Sequence, residues 1–237
     1  KGWGLGEESW SLDYIVIYGD THTSPRTGAI WAELDIALMA TYTHEAYGTM
    51  GISAVALDTG HESQHVIEFV RPRLRRRYYA IKGKEDTHGV RRPIWPPNGK
   101  QVAKKGVVPL YMVGIDSCKE HIYGRLRNVT KYGPGYMHFP LERDSTYFRQ
   151  LLSERKQSKV TGGRVVTRWV KPSHMNNEAL DCNVYAYAAL KGWLSERNTL
   201  QGTLDALQGA RQADKAARAA QNSAIRQSFL GGRNARR

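Results

Sequence analysis

Three acidic residues of this 237-residue chain stand where an apolar core ordinarily tolerates none. Asp58 closes the run Ile-Ser-Ala-Val-Ala-Leu, and Asp116 closes Leu-Tyr-Met-Val-Gly-Ile. Asp181 lies in the stretch from Glu178 to Leu190, which is apolar on nearly every side. The first two runs read as strands and the third as a buried helix. A buried carboxylate is costly unless it is paired, protonated or bound to a cation. Neighbouring strands that both end in Asp bring those carboxylates to one edge of a sheet, where open α/β folds place ligands. A helix packed across that edge would complete the cluster. Mg²⁺ or Mn²⁺ resolves the mutual repulsion of such acids, because both prefer oxygen ligands and keep waters for phosphates. Two such ions roughly 3.5–4 Å apart suit in-line hydrolysis of a phosphodiester.

Plainer readings stand beside this one. An Asp after a strand is commonly a turn or cap residue, and Asp181 could pair with a Lys or Arg from elsewhere. Glu178 falls on the same helix face as Asp181, either as a competing metal ligand or as an acid favoured by the helix dipole. Lys82 and Lys119 should lie near the Asp edge and could hold phosphates, or form ordinary ion pairs. Asp58-Thr59-Gly60 matches the aspartic-protease triplet, but no second copy and no β-rich body accompany it. No G-x-x-x-x-G-K-[ST] loop occurs. Cys118 and Cys182 lack the spacing of a zinc site, and His61, His65, His121, His138 and His174 are scattered.

Composition limits the function classes. The chain carries 35 Lys+Arg against 22 Asp+Glu, a net charge of +13, with 41% hydrophobic residues and six Trp. That content excludes a wholly disordered chain, and no apolar run approaches the ~20 residues of a bilayer span. The positive excess points to nucleic acid, since the basic residues cluster. Arg71, Arg73, Arg75, Arg76, Arg77, Lys82 and Lys84 fall in one stretch without an acid. The opening lacks both an initiating Met and a secretory pattern, which suggests a fragment of a longer polypeptide. Two cysteines cannot build a disulfide framework.

The elements that must position these residues alternate. An extended piece over 12–18 and a turn over 19–25 precede a helix over 29–39. Then come a strand over 52–57, a helix over 62–70, a strand over 78–81, a long loop over 84–106, a strand over 110–115 and a helix over 118–126. Shorter elements follow: a strand over 136–139, a helix over 146–155, a strand over 164–170 and a helix over 177–193. This alternation argues for an α/β fold with part of its sheet parallel. The Ala/Gln/Arg-rich tail, 196–237, should be a solvated helix or disordered. We divide the chain into a lead-in (1–45), a main body (46–195) and that tail.

Five motifs occur in order: Leu57-Asp58-Thr59-Gly60; Ala80-Ile81-Lys82-Gly83; Val113-Gly114-Ile115-Asp116-Ser117-Cys118-Lys119; Gly133-Pro134-Gly135-Tyr136-Met137-His138-Phe139-Pro140; and Asn177-Glu178-Ala179-Leu180-Asp181-Cys182. Over about residues 1–195 the series resembles the nuclease half of the lambda-type large terminase subunit of tailed bacteriophages. Trp3-Gly4-Leu5-Gly6-Glu7-Glu8-Ser9-Trp10 and Tyr18-Gly19-Asp20 resemble the segment that follows that family's ATPase domain.

The resemblance implies an RNase H-like mixed sheet flanked by helices, and an endonuclease that cuts concatemeric viral DNA with two Mg²⁺ or Mn²⁺ ions. Carried over by position, the metal-binding acids are Asp58, Asp116 and Asp181, with Glu178 competing for the last place. Lys82, Lys119 and the Arg71–Arg77 run would hold the DNA backbone. The implied partners are double-stranded DNA, the small terminase subunit and, through the tail, the portal protein. The implied setting is the host bacterial cytoplasm at the procapsid portal. Two rivals predict other behaviour: a non-catalytic DNA-binding or portal-docking module, and a resolvase or transposase of the same fold.

Overall fold

The computed structural model describes residues 1–87, 90–98, 100–102, 108–128 and 131–234, with backbone alone at 100–102, 161, 164 and 224–234. Much of the long loop expected over 84–106 lies outside the described residues. In chain order the elements are β1 (Gly2–Trp3), β2 (Ser9–Trp10), α1 (Ala29–Leu38), β3 (Thr41–His44), β4 (Gly48–Gly51), β5 (Val55–Asp58), α2 (Ser63–Val70), β6 (Tyr78–Lys84), β7 (Lys100–Val102) and β8 (Val108–Gly114). They continue with α3 (Ile115–Leu126), β9 (Met137–His138), α4 (Ser145–Leu151), β10 (Arg155–Thr161), β11 (Arg164–Val170), α5 (Glu178–Ser195) and α6 (Leu200–Asn234). Short 3-10 helices cover Leu5–Glu7 and Arg71–Arg76. No helix of the described residues is long and apolar enough to cross a membrane.

The chain divides into two units, residues 1–40 with 51–197, and residues 41–50 with 198–237. The first unit is built on a mixed sheet of order β5-β6-β8-β7, in which β5, β6 and β8 run parallel and β7 antiparallel. The parallel strands are near-continuous apolar runs because both faces are covered. Val55, Tyr78, Ala80 and Val108 pack on one face against Trp31 of α1 and Val66, Phe69 and Val70 of α2. Alternation turns Tyr79, Ile81 and Val113 to the other face, where α5 lies against β5, and α3 against β6 and α5. Leu180 and Val184 of α5 and Leu151 of α4 are fully excluded from water, worth roughly 1.5–3 kcal/mol each.

The lead-in is held by a small sheet in which β2 pairs antiparallel with β1 and parallel with β9. Glu7 pairs with Arg125 and Lys191, and His138 Nε2 lies 2.6 Å from Glu8 Oε1. The extended piece expected over 12–18 forms no strand: Ile15, Val16 and Tyr18 stay exposed, so its apolar residues find no sheet edge. Strand β10 was missed from sequence, where a helix was expected to run to 155. That helix stops at Leu151, and β10 pairs with β11 across Gly162-Gly163, both at positive φ. The second unit contains the β3-β4 hairpin and the helix α6.

Candidate active site

The ends of the parallel strands set the site. At the end of β5 the Thr59 N–H and hydroxyl both donate to the Ile81 carbonyl, at 2.8 and 2.9 Å, and lock this end of β5 to β6. Asp58 turns to the α5 face. Its Oδ1 accepts the Gly60 N–H at 3.1 Å, and its Oδ2 accepts the Tyr185 hydroxyl at 3.3 Å. A Cβ on Gly60 would stand 2.9 Å from Asp58 Oδ2, so glycine leaves room for the carboxylate to fold back. The Asp58 charge and burial together push the Tyr185 phenol far above its ordinary range, with burial the larger cause.

Asp116 does not close a strand, as the sequence suggested. Strand β8 ends at Gly114, and Asp116 lies in the first turn of α3, where the helix dipole favours a negative charge. Its Oδ2 accepts the Asp86 N–H at 2.8 Å, while Asp86 Oδ1 accepts the Arg92 N–H at 2.8 Å. Burial, then the charges of Asp86 and Glu85, raise the Asp116 carboxyl above its usual range, and the Asp86 N–H and Lys119 partly oppose them. Asp58 and Asp116 share an edge but not neighbouring strands, since β6 runs between β5 and β8. The register sets them apart along the strands as well: Asp58 is level with Ile81 and Ile81 with Tyr111, five residues before Asp116.

Asp181 enters from α5. Burial pushes its carboxyl up to about 6, helped by Glu154, Glu178 and Asp58 and opposed by Lys119. The Asn177 amide donates both to Asp181 Oδ2, at 3.1 Å, and to Glu154 Oε1, at 2.9 Å. Glu154 also accepts the Lys119 ammonium at 2.7 Å, in a pair whose side chains are nearly fully buried. The Lys119 charge opposes the rise of both Asp181 and Asp116. Glu178 is exposed beside them.

Sequence reasoning missed Glu154, Glu85 and Asp86. The strand expected to stop at Ile81 continues to Lys84, which carries the next two acids to the same edge. For Glu154 no pattern was available, because an isolated acid between a helix and an unforeseen strand gives no periodic signal.

The basic residues fall in different places. Lys82 is exposed on β6, one residue beyond the Ile81 that pairs with Asp58. Lys119 is buried against Glu154 and presents no free charge to the surface. The Arg71–Arg77 run precedes β6, at the opposite end of the parallel strands from the carboxylates. The Arg77 carbonyl there accepts the Val55 N–H, Arg73 pairs with Asp35, and Arg77 pairs with Glu196. Arg75 and Arg76 are exposed. A second basic surface is the β10-β11 ribbon, with Arg155, Lys156, Lys159 and Arg168 exposed and no acid from 155 to 177.

Among the described residues, one set of three or more His, Cys, Asp or Glu side chains has all its ligand atoms within 4.8 Å: His22, His61 and Glu62. Asp58, Asp116 and Asp181 are not gathered that closely. Of the other histidines, His138 contacts Glu8, and His121 and His174 are exposed.

The first unit is therefore an α/β domain that concentrates acids at the C-terminal edge of its parallel strands, with one buried cation among them. The chain belongs to the family described as "Terminase large subunit gpA, endonuclease domain", which matches residues 1–198. It is 34% identical over 221 residues to the terminase large subunit of Escherichia phage lambda, covering 88% of this chain and 33% of that protein. It is 30% identical over 208 residues to the terminase large subunit of Enterobacteria phage P21, covering 80% of this chain and 29% of that protein. The chain thus spans about a third of the length of these curated relatives. No solved structure matches it.

Proposed function

We propose that this domain is an RNase H-like, divalent-metal-dependent endodeoxyribonuclease that cuts concatemeric viral DNA during genome packaging. The observation that supports the reading is the run of acids at the C-terminal end of the parallel strands: Asp58 closes β5, Asp116 opens α3 after β8, and Asp181 lies on α5 beside Glu154 and its buried partner Lys119.

The donor set suits Mg²⁺ or Mn²⁺, since it offers oxygen alone. Burial holds Asp116 and Asp181 above the usual carboxylate range, a penalty that a cation offsets. Asp58, Asp116 and Asp181 are the proposed ligands of two ions, with Glu154 and Glu178 as further oxygen donors beside Asp181. When bound, such ions polarise the phosphate and lower the pKa of an attacking water. The chain's own groups prepare the ligands. The Tyr185 hydroxyl orients Asp58, the Asp86 N–H orients Asp116, and Asn177 ties Asp181 to Glu154. Lys119 limits the repulsion among them before any cation arrives.

DNA would meet the edge through Lys82 and the β10-β11 ribbon, whose cations contact phosphates without reading sequence. Lys119 acts within the cluster in this account, and the Arg71–Arg77 run serves the far end of the sheet. Double-stranded DNA, the small terminase subunit and the portal protein remain the proposed partners, at the procapsid portal in the host cytoplasm. The division into a lead-in (1–45), a nuclease body (46–195) and a portal-facing tail (196–237) is part of the same proposal.

Supercoiled-plasmid nicking tests the reading. Cutting with Mg²⁺ or Mn²⁺ and none in EDTA is expected. Binding without cutting in either metal would favour a docking module, and preference for branched or specific end sequences would favour a resolvase or transposase.

A further inference from the structure

Just past Asp58, two imidazoles from different segments converge on one carboxylate oxygen of Glu62. His22 Nδ1 lies 2.7 Å from Glu62 Oε1, and His61 Nε2 lies 3.8 Å from the same atom. The two imidazole rings stand 5.7 Å apart at 70°. The other oxygen, Oε2, lies 2.9 Å from His65 Nδ1, one turn further along α2.

His22 is held by its backbone. The His22 N–H donates to Asp20 Oδ1 at 2.9 Å, and the buried Trp31 donates its indole N–H to the Thr23 carbonyl at 2.8 Å, which pins this turn to α1. His61 and Glu62 directly follow the Asp58-Thr59-Gly60 turn. Glu62 holds a left-handed conformation, φ 49°, that swings its side chain toward His22 and His65. Such a conformation costs a residue other than glycine about 1 kcal/mol or more.

We propose that His22, His61 and Glu62 form a binding site for a borderline transition-metal cation of the zinc class, separate from the carboxylate edge. Two imidazoles and one carboxylate are a donor set that Zn²⁺ takes, and three protein ligands leave a position for water. In a tetrahedral site with bonds near 2.0–2.1 Å, neighbouring ligand atoms are about 3.3 Å apart. The observed 2.7 and 3.8 Å bracket that spacing. Both imidazoles are largely exposed, with 70% and 75% of their side chains accessible, so small rotations complete the geometry and the ion has an open entry path. Imidazole selects this class over Mg²⁺, which demands oxygen and an octahedral shell. A bound ion would cross-link the 19–25 turn to the start of α2, and so stiffen the segment that follows Asp58.

The test is titration of the whole chain, without a histidine tag, with Co²⁺ and Zn²⁺ by calorimetry and by the visible absorption of Co²⁺. One equivalent is expected, not displaced by excess Mg²⁺. His22→Ala and His61→Ala should each weaken it by about tenfold or more, while Asp58→Asn leaves it unchanged. Melting in EDTA should match wild type for both histidine variants, which shows that they fold, and Mg²⁺-dependent nicking by His22→Ala should persist. Absence of Co²⁺ and Zn²⁺ binding, survival of binding in both histidine variants, or its loss in Asp58→Asn would each overturn the proposal without touching the nuclease reading.

Discussion

The Lys119 ammonium lies 2.7 Å from Glu154 Oε2, with only 7% and 6% of the two side chains exposed, and this pair links the two halves of the carboxylate edge. Asp116 faces Lys119 from the start of its own helix, and Asp181 faces it from α5. Of the two roles the sequence left open for Lys119, a phosphate contact or an ion pair, the structure shows the ion pair.

Lys119→Met leaves Glu154 buried without its partner, so the variant should lose about 3–5 kcal/mol of stability. Adding Glu154→Gln should recover much of that loss. Urea unfolding of the single and double variants measures both, and a fully stable single variant would contradict the role given to the pair.

Asp181 gives a pH signature in metal-free protein. Its folded-state pKa of about 6 exceeds the ordinary 3.8, so the unfolded chain releases this proton first as pH rises. The folding penalty is absent below 3.8, grows as pH rises toward 6 and is complete above that. Asp181→Asn removes it and still accepts the Asn177 amide. The variant should exceed wild type by about 1 kcal/mol above pH 6 in EDTA, after allowance for solvent screening, and lose that advantage in acid. Thermal unfolding across pH checks this; a variant less stable at neutral pH would refute it.

Gly114 separates β8 from Asp116. A Cβ there would stand 2.6 Å from the carbonyl oxygens of both Arg92 and Pro93, backbone atoms that cannot swing aside. Gly114→Ala should cost about 1–3 kcal/mol and shift the first turn of α3. The expected result is a lower nicking rate at saturating DNA, alongside a lower melting temperature. An unchanged rate would mean that the position of Asp116 tolerates this movement.

Lys82→Ala should weaken plasmid binding and reduce the salt dependence by about one released counterion. Arg75→Ala, at the opposite end of the sheet, should leave the cutting rate near wild type. Binding at several salt concentrations separates the two, and a larger loss from Arg75→Ala would place the DNA elsewhere.

Much of this arrangement was legible in the residues. Apolar runs marked β5, β6 and β8, and helical spacing marked α2, α3 and α5, because burial of whole faces leaves a periodic trace. Asp58 and Asp181 stood out as charges in apolar company, and the Asp58 charge adds to the rise of the Asp181 carboxyl. The order of the strands was not legible. Periodicity says that two strands are buried but not that β6 lies between them, so Asp58 and Asp116 could be assigned one edge but not their separation. Glu154 and Lys119 found each other across 35 residues, a tertiary pairing without local pattern. The β10-β11 turn did carry a signal in Gly162-Gly163, a pair suited to a tight hairpin.

The central claim is that the carboxylate edge cuts DNA with a divalent cation. Asp58→Asn tests it most directly, since it removes one charge at the end of β5 and keeps the acceptor for Tyr185. Plasmid binding by this variant should equal that of wild type, while nicking in Mg²⁺ and Mn²⁺ should fall to the level seen in EDTA. Metal-dependent nicking that persists in Asp58→Asn would show that the chemistry lies elsewhere.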